Sequence, residues 1–106
     1  MNIFDVFIAY VSWDGGGKLR PVLIIEQQES VLSVFNITSQ YGNKSESIRS
    51  KYIKIDDWQQ AGLDMPSYID TNVVRELSKA AWDGKTAIGK LTETDIQRLL
   101  KFLAEQ

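Results

Sequence analysis

The sequence holds no cysteine and no histidine. Those two absences remove disulfides, thiolate nucleophiles, imidazole bases and nearly every transition-metal site, so any chemistry must come from carboxylates, hydroxyls, Arg, Lys, Tyr or the backbone. Proline occurs only as Pro21 and Pro66, and no Pro/Gly/Ser-rich stretch or compositional break divides the 106 residues. One domain over residues 1–106 is therefore expected. No apolar run approaches the roughly 20 residues that span a bilayer. Met1-Asn2-Ile3-Phe4-Asp5 also lacks the basic start and long apolar stretch of a secretion signal, and the expectation is a cytoplasmic protein with no membrane contact.

Positive charge is in slight deficit, with 12 Lys and Arg against 14 Asp and Glu, for a net charge of -2. That balance argues against a protein coated in basic surface, but it leaves room for a local basic cleft, because salt confines charge effects to about 8 to 10 Å. The cations are partly grouped, as Lys18 with Arg20, as Arg49 with Lys51 and Lys54, and as Lys85 with Lys90. With 43% hydrophobic residues the chain has the composition of a folded globule. Its short length leaves much surface for its volume, so a homodimer that buries further apolar area is expected.

Hydrophobic alternation predicts a strand over Ile3 to Val11. Ser12-Trp13-Asp14-Gly15-Gly16-Gly17-Lys18 then reads as a flexible glycine-rich connection whose backbone can approach a ligand closely, and it lacks the spacing of a Walker phosphate loop. Arg20-Pro21 opens a second strand through Val22 to Ile25, and Val31 to Ser39 makes a third, completing an antiparallel meander. Gln40 to Ser50 is polar and reads as a loop, Lys51 to Ile55 as a short strand, and Asp56 to Gly62 as one or two helical turns. Strand pieces follow at Ser67 to Ile69 and Val73 to Leu77, around Asp70-Thr71-Asn72, with a helix over Val73 to Ala81 as the other reading. A terminal helix is capped by Thr92, with Asp95 in its first turn and a stripe of Ile96, Leu99, Leu100 and Leu103 facing the sheet.

Three passages in this order resemble the MazF/PemK family of toxin-antitoxin toxins: Leu19-Arg20-Pro21-Val22-Leu23-Ile24-Ile25 after the glycine-rich loop, Ile37-Thr38-Ser39-Gln40, and Ser67-Tyr68-Ile69 through Ile88-Gly89-Lys90-Leu91-Thr92 into the final helix. The resemblance covers nearly the whole chain. It implies a mainly β, α+β fold, an SH3-like small barrel of the MazF/PemK/CcdB type with a C-terminal α-helix. It also implies a homodimer that cuts single-stranded RNA without a cofactor and is held inactive by a cognate antitoxin. Arg20 matches the family's arginine at the start of the second strand and Thr38 its hydroxyl at the end of the third.

Metal-free RNA cleavage requires the 2'-hydroxyl to lose a proton and attack phosphorus while charge builds on the phosphoryl oxygens. An arginine fork can bind two of those oxygens and stays charged, and a threonine hydroxyl can donate to one of them. Arg20 and Thr38 are thus the candidate catalytic pair. Some relatives place a histidine in the first loop, or an Arg and an Asp two apart where this chain has Asp70-Thr71-Asn72; Asp14 and Asp70 are the carboxylates left to accept a proton. Both aspartates could equally serve simply as turn formers or caps. Trp13, Gly16, Lys18, Ser39, Gln40, Tyr41 and Asn72 complete the candidate substrate-binding set, with Trp13 or Tyr41 stacking on a base. Trp58 and Trp82 are expected in the core or an interface. A gyrase-binding protein on the same fold and a family member without activity are the alternative readings; the last residues, Leu103-Ala104-Glu105-Gln106, hold no tryptophan of the kind gyrase-binding relatives carry.

Overall fold

The computed structural model describes residues 1–106. Six strands form one antiparallel sheet in the order β4-β5-β3-β2-β1-β6, built from β1 (Asp5–Trp13), β2 (Gly16–Gln27), β3 (Val31–Thr38), β4 (Tyr52–Lys54), β5 (Tyr68–Ser78) and β6 (Gly89–Lys90). Short helices α1 (Glu46–Arg49) and α2 (Lys79–Trp82) interrupt the strands, and α3 (Glu93–Ala104) closes the chain. The sheet curls into a half-barrel, the small-barrel architecture with a C-terminal helix that the sequence predicts. No helix is long and apolar enough to cross a membrane.

Curling gives the sheet two apolar faces. Leu23, Phe35, Ile37, Ile53 and Ile69 project to one side, where Leu99 of α3, fully buried, packs with Ile96, Phe102 and Leu103. Burying a leucine of this kind contributes about 2 kcal/mol. Phe7, Ala9, Val11, Val22, Ile24, Leu32 and Val34 project to the other, covered in part by Ala81 and Trp82 of α2. The helix stripe is corrected at one position: Leu100 is 44% exposed, because the 100° step from Leu99 turns it outward, and Phe102 packs instead. Trp58 packs against the first core and Trp82 against the second.

Other boundaries shift for local reasons. Phe4 has φ 70, so extended pairing starts only at Asp5. The glycine-rich passage is not a long flexible loop: it is a two-residue turn, Asp14-Gly15, with Gly15 at φ 88, flanked by the paired residues Trp13↔Gly16 and Ser12↔Gly17. Gly17 makes room for the Tyr10 ring, which a Cβ there would meet at 2.7 Å. The polar loop after β3 contains α1, capped by Ser45, whose hydroxyl accepts from the Ile48 N–H at 3.4 Å. Asp56 to Gly62 forms turns closed by the Ala61 N–H on the Asp57 carbonyl at 3.1 Å. The strand reading prevails after Pro66, with Thr71 to Val73 bulging from β5 between the pairs Asn36↔Asp70 and Phe35↔Val74.

Asp95 ties α3 to the 56–57 turn. Its buried carboxylate accepts from the backbone N–H of Asp56 at 3.1 Å and of Asp57 at 2.9 Å, and from Arg98 at 3.0 Å. The N-cap hydroxyl of Thr92 accepts from the Asp95 N–H at 3.3 Å and donates to Asp57 at 2.7 Å. This clamp fixes the segment that runs on to Ser67.

Candidate active site

Directly opposed residues in an antiparallel ladder share a face, and so do residues two apart along a strand. Val22 pairs with Asn36, Asn36 with Asp70, and Asp70 with Tyr52, which puts one row of side chains across four strands. The next row holds Thr38, Tyr68 and Lys54, and continuing the β2–β3 register by two residues brings Arg20 level with Thr38. Sequence spacing alone could not show this. It follows from pairing.

Arg20 and Thr38 line one open cleft of about 210 Å³, together with Lys18, Ser39, Gln40 and the segment from Leu63 to Ser67. The Arg20 guanidinium makes no ion pair or hydrogen bond to any group of the chain, and its Nε is buried without a partner. An unpaired donor of this kind costs about 1 to 3 kcal/mol, and Arg49 and Arg75 leave their Nε unpaired in the same way; what sets Arg20 apart is its place in the cleft beside Thr38. The Thr38 hydroxyl accepts from the Gln40 N–H at 3.0 Å, which leaves its proton free to donate into the cleft.

Behind Arg20 lies Tyr52. Burial pushes its phenol above the ordinary value, the neighbouring Asp70 carboxylate adds to this by charge and by hydrogen bonding, and Arg20 partly opposes it. Tyr52 therefore stays a neutral donor. Asp70 Oδ1 also accepts from the Asn72 N–H at 2.9 Å and from Asn72 Nδ2 at 2.8 Å, and the same amide donates to the Ile48 carbonyl at 3.2 Å. Asp70 does not line the cleft that holds Arg20 and Thr38; its Oδ1 is committed to Asn72, and no hydrogen bond from Asn72 reaches its Oδ2.

The remaining candidates divide. Lys18, Ser39 and Gln40 reach the cleft, whereas Asp14, Trp13 and Gly16 sit at the β1–β2 hairpin tip and do not line it. Asp14 lies in the turn, away from Arg20 and Thr38. Trp13 is 49% exposed and leans over Gly16, whose added Cβ would lie 3.4 Å from the indole nitrogen. Tyr41 is not a free stacking platform: its ring stacks on Tyr68 at 4.2 Å and 13°, tilts against Tyr52 at 6.0 Å, and carries the Arg49 guanidinium 5.6 Å above it. Tyr52, Tyr68 and Asn36 escaped the sequence reading. The alternation that set Tyr52 and Lys54 opposite the buried isoleucines was the available signal. No three carboxylates converge in the arrangement of a metal site.

Residues 3–106 match the family model described as PemK-like, MazF-like toxin of type II toxin-antitoxin system. No curated protein matches the chain.

Proposed function

From the premise that the chain belongs to the PemK-like, MazF-like toxin family of type II toxin-antitoxin systems, we propose that it is a metal-independent endoribonuclease acting on single-stranded RNA. The observation that carries this reading is the pairing of an uncommitted guanidinium, Arg20, with a hydroxyl whose proton is free, Thr38, in one open cleft. Arg20 holds the non-bridging oxygens of the scissile phosphate, and Thr38 donates to one of them. The 2'-oxygen attacks phosphorus, the bond to the 5'-oxygen breaks, and the products are a 2',3'-cyclic phosphate and a 5'-hydroxyl. The 2'-hydroxyl proton passes to solvent, because neither Asp14 nor Asp70 lines the cleft. The leaving 5'-oxygen takes its proton from water.

Lys18 at the rim supplies attraction for the flanking backbone. The protein works in the cytoplasm as a homodimer, the one domain spanning residues 1–106, and is silenced by its antitoxin.

The test uses purified protein, single-stranded RNA and EDTA. Wild type cuts and leaves cyclic phosphate ends, and Arg20→Ala loses about 10³-fold or more in kcat/KM while remaining folded. Cleavage that requires added divalent metal, or an Arg20→Ala protein as active as wild type, overturns the mechanism. Induction in growing bacteria arrests growth, and coexpression of a neighbouring short gene with an acidic C-terminal segment restores it.

A further inference from the structure

Three of the five buried polar atoms that find no partner in the chain, Arg20 Nε, Asn36 Oδ1 and Arg75 Nε, belong to residues on one face of the sheet. Asn36 sits at the centre of this group and is only 7% exposed, and neither atom of its amide makes a hydrogen bond. Thr38 follows two residues along on the same side, and Arg75 pairs with Val34 two residues back. Directly opposite Asn36 on β5 is Asp70, held by Asn72 and Tyr52.

The chemistry of this face is divided. Arg20 and Arg75 offer N–H groups with no carboxylate partner, since Arg98 is the arginine that makes the ion pairs. Between them lie two acceptors, the Asn36 carbonyl and Oδ2 of Asp70, the carboxylate oxygen that Asn72 leaves free, roughly 5 Å apart at the backbone as opposed residues are. A phosphate is repelled by Asp70 and suits only the arginines. The middle position calls for a group that donates two adjacent N–H bonds, and a half-turn of the Asn36 amide turns its oxygen outward without changing its shape.

Among the four RNA bases only guanine carries two neighbouring donors, the ring N1–H and the 2-amino group, on its pairing edge. We propose that Asn36 and Asp70 form a recognition pocket for a guanine next to the phosphate held by Arg20, with Arg75 holding the phosphate on the far side of that nucleotide. This rests on the RNA-cleaving reading and adds a sequence preference to it. Asn36 is the specificity-determining residue: each donor–acceptor pair formed or lost discriminates between bases, and a good two-bond match favours guanine about 10- to 100-fold.

Two measurements separate this proposal from the nuclease reading beneath it. In the first, wild type cuts RNA oligonucleotides that differ only at the nucleotide flanking the cut. A guanosine substrate is preferred about tenfold or more over its inosine counterpart, which lacks the 2-amino donor, and Asn36→Leu brings that ratio close to one. Because the readout is a ratio within one protein, a general loss of folding does not mimic it, and the wild-type guanosine-to-inosine ratio stands even if Asn36→Leu fails to fold. In the second, 3'-GMP, 3'-AMP and inorganic phosphate are titrated into 15N-labelled protein. The Asn36 side-chain amide signals move with 3'-GMP and not with phosphate. Binding of 3'-GMP at Asn36 without RNA cleavage leaves the pocket standing and removes the nuclease reading. Cleavage with no guanine preference, or equal responses to 3'-GMP and 3'-AMP, overturns the pocket and leaves the nuclease reading standing.

Discussion

Replacing Asp95 with asparagine tests how the cleft wall is held. The substitution is nearly isosteric, yet it removes a charge from a site 2% exposed and converts one acceptor into a donor. Three donors now converge on this carboxylate, the Asp56 and Asp57 N–H groups at 3.1 and 2.9 Å and Arg98 at 3.0 Å. An amide keeps a single oxygen, so one backbone N–H faces an NH2 group and goes unsatisfied, at about 1 to 3 kcal/mol. The bonds that survive lose their charge assistance, about 1 kcal/mol more. Arg98 is cushioned, because it retains the Lys54 carbonyl at 2.8 Å and Asp56 at 3.4 Å. The sum is a loss of about 2 to 4 kcal/mol. With an unfolding entropy of about 2.1 cal/mol/K per residue, a chain of this length should melt about 9 to 18 °C lower. Urea titration and thermal circular dichroism measure both quantities. A loss below about 0.5 kcal/mol would refute the claim that Asp95 organises the 56–57 turn. Arg98→Met, at a side chain 37% exposed, should cost less than about 1 kcal/mol.

Thr38→Ala should lower kcat on RNA about 10²- to 10³-fold with little change in melting temperature, and Thr38→Ser should restore most of it, as single-turnover kinetics will show. Gly62→Ala and Gly89→Ala should each cost about 2 kcal/mol or more by urea denaturation, because an added Cβ on either would strike the backbone of Ile88 or Ala61 and Gly62 also holds φ 85. Gly15→Ala, with open space but φ 88, should cost only about 1 kcal/mol. For Tyr52, the folded phenol titrates above its ordinary 10.0. Its contribution to stability is therefore complete below about pH 10 and is lost as pH rises through the raised value. Ultraviolet titration should show that Tyr52→Phe removes the last phenol to ionise.

Much of the fold was legible because the strands of the meander and the last helix carry strong periodicity. Arg20 and Thr38 were legible as residues but not as neighbours: their convergence depends on the β2–β3 register, which no local pattern states. Asp14 was ambiguous in sequence because a carboxylate in a glycine-rich passage suits a turn and a catalytic loop equally well. Gly16 and Gly17 misled for a related reason, since glycine serves as readily to admit the rings of Trp13 and Tyr10 as to loosen a chain. Tyr41 had the right chemistry for stacking on a base, yet Tyr68, 27 positions later in sequence, had already taken its face. Asn36 was hidden by its setting in an apolar strand, where its unpaired amide oxygen becomes visible only once every donor around it is located.

The bulge at Thr71 to Val73 also decides how safely this sheet ends. β4 pairs with β5 only at Tyr68 to Asp70, so from Val73 onward the outer edge of β5 has no strand beside it. Val73 and Val74 are both 51% exposed there, a combination that invites another chain to add itself and seed aggregates. Arg75, Glu76 and Lys79 follow at once. Their charges guard the open edge, and the kink twists it out of line with any flat strand that approaches.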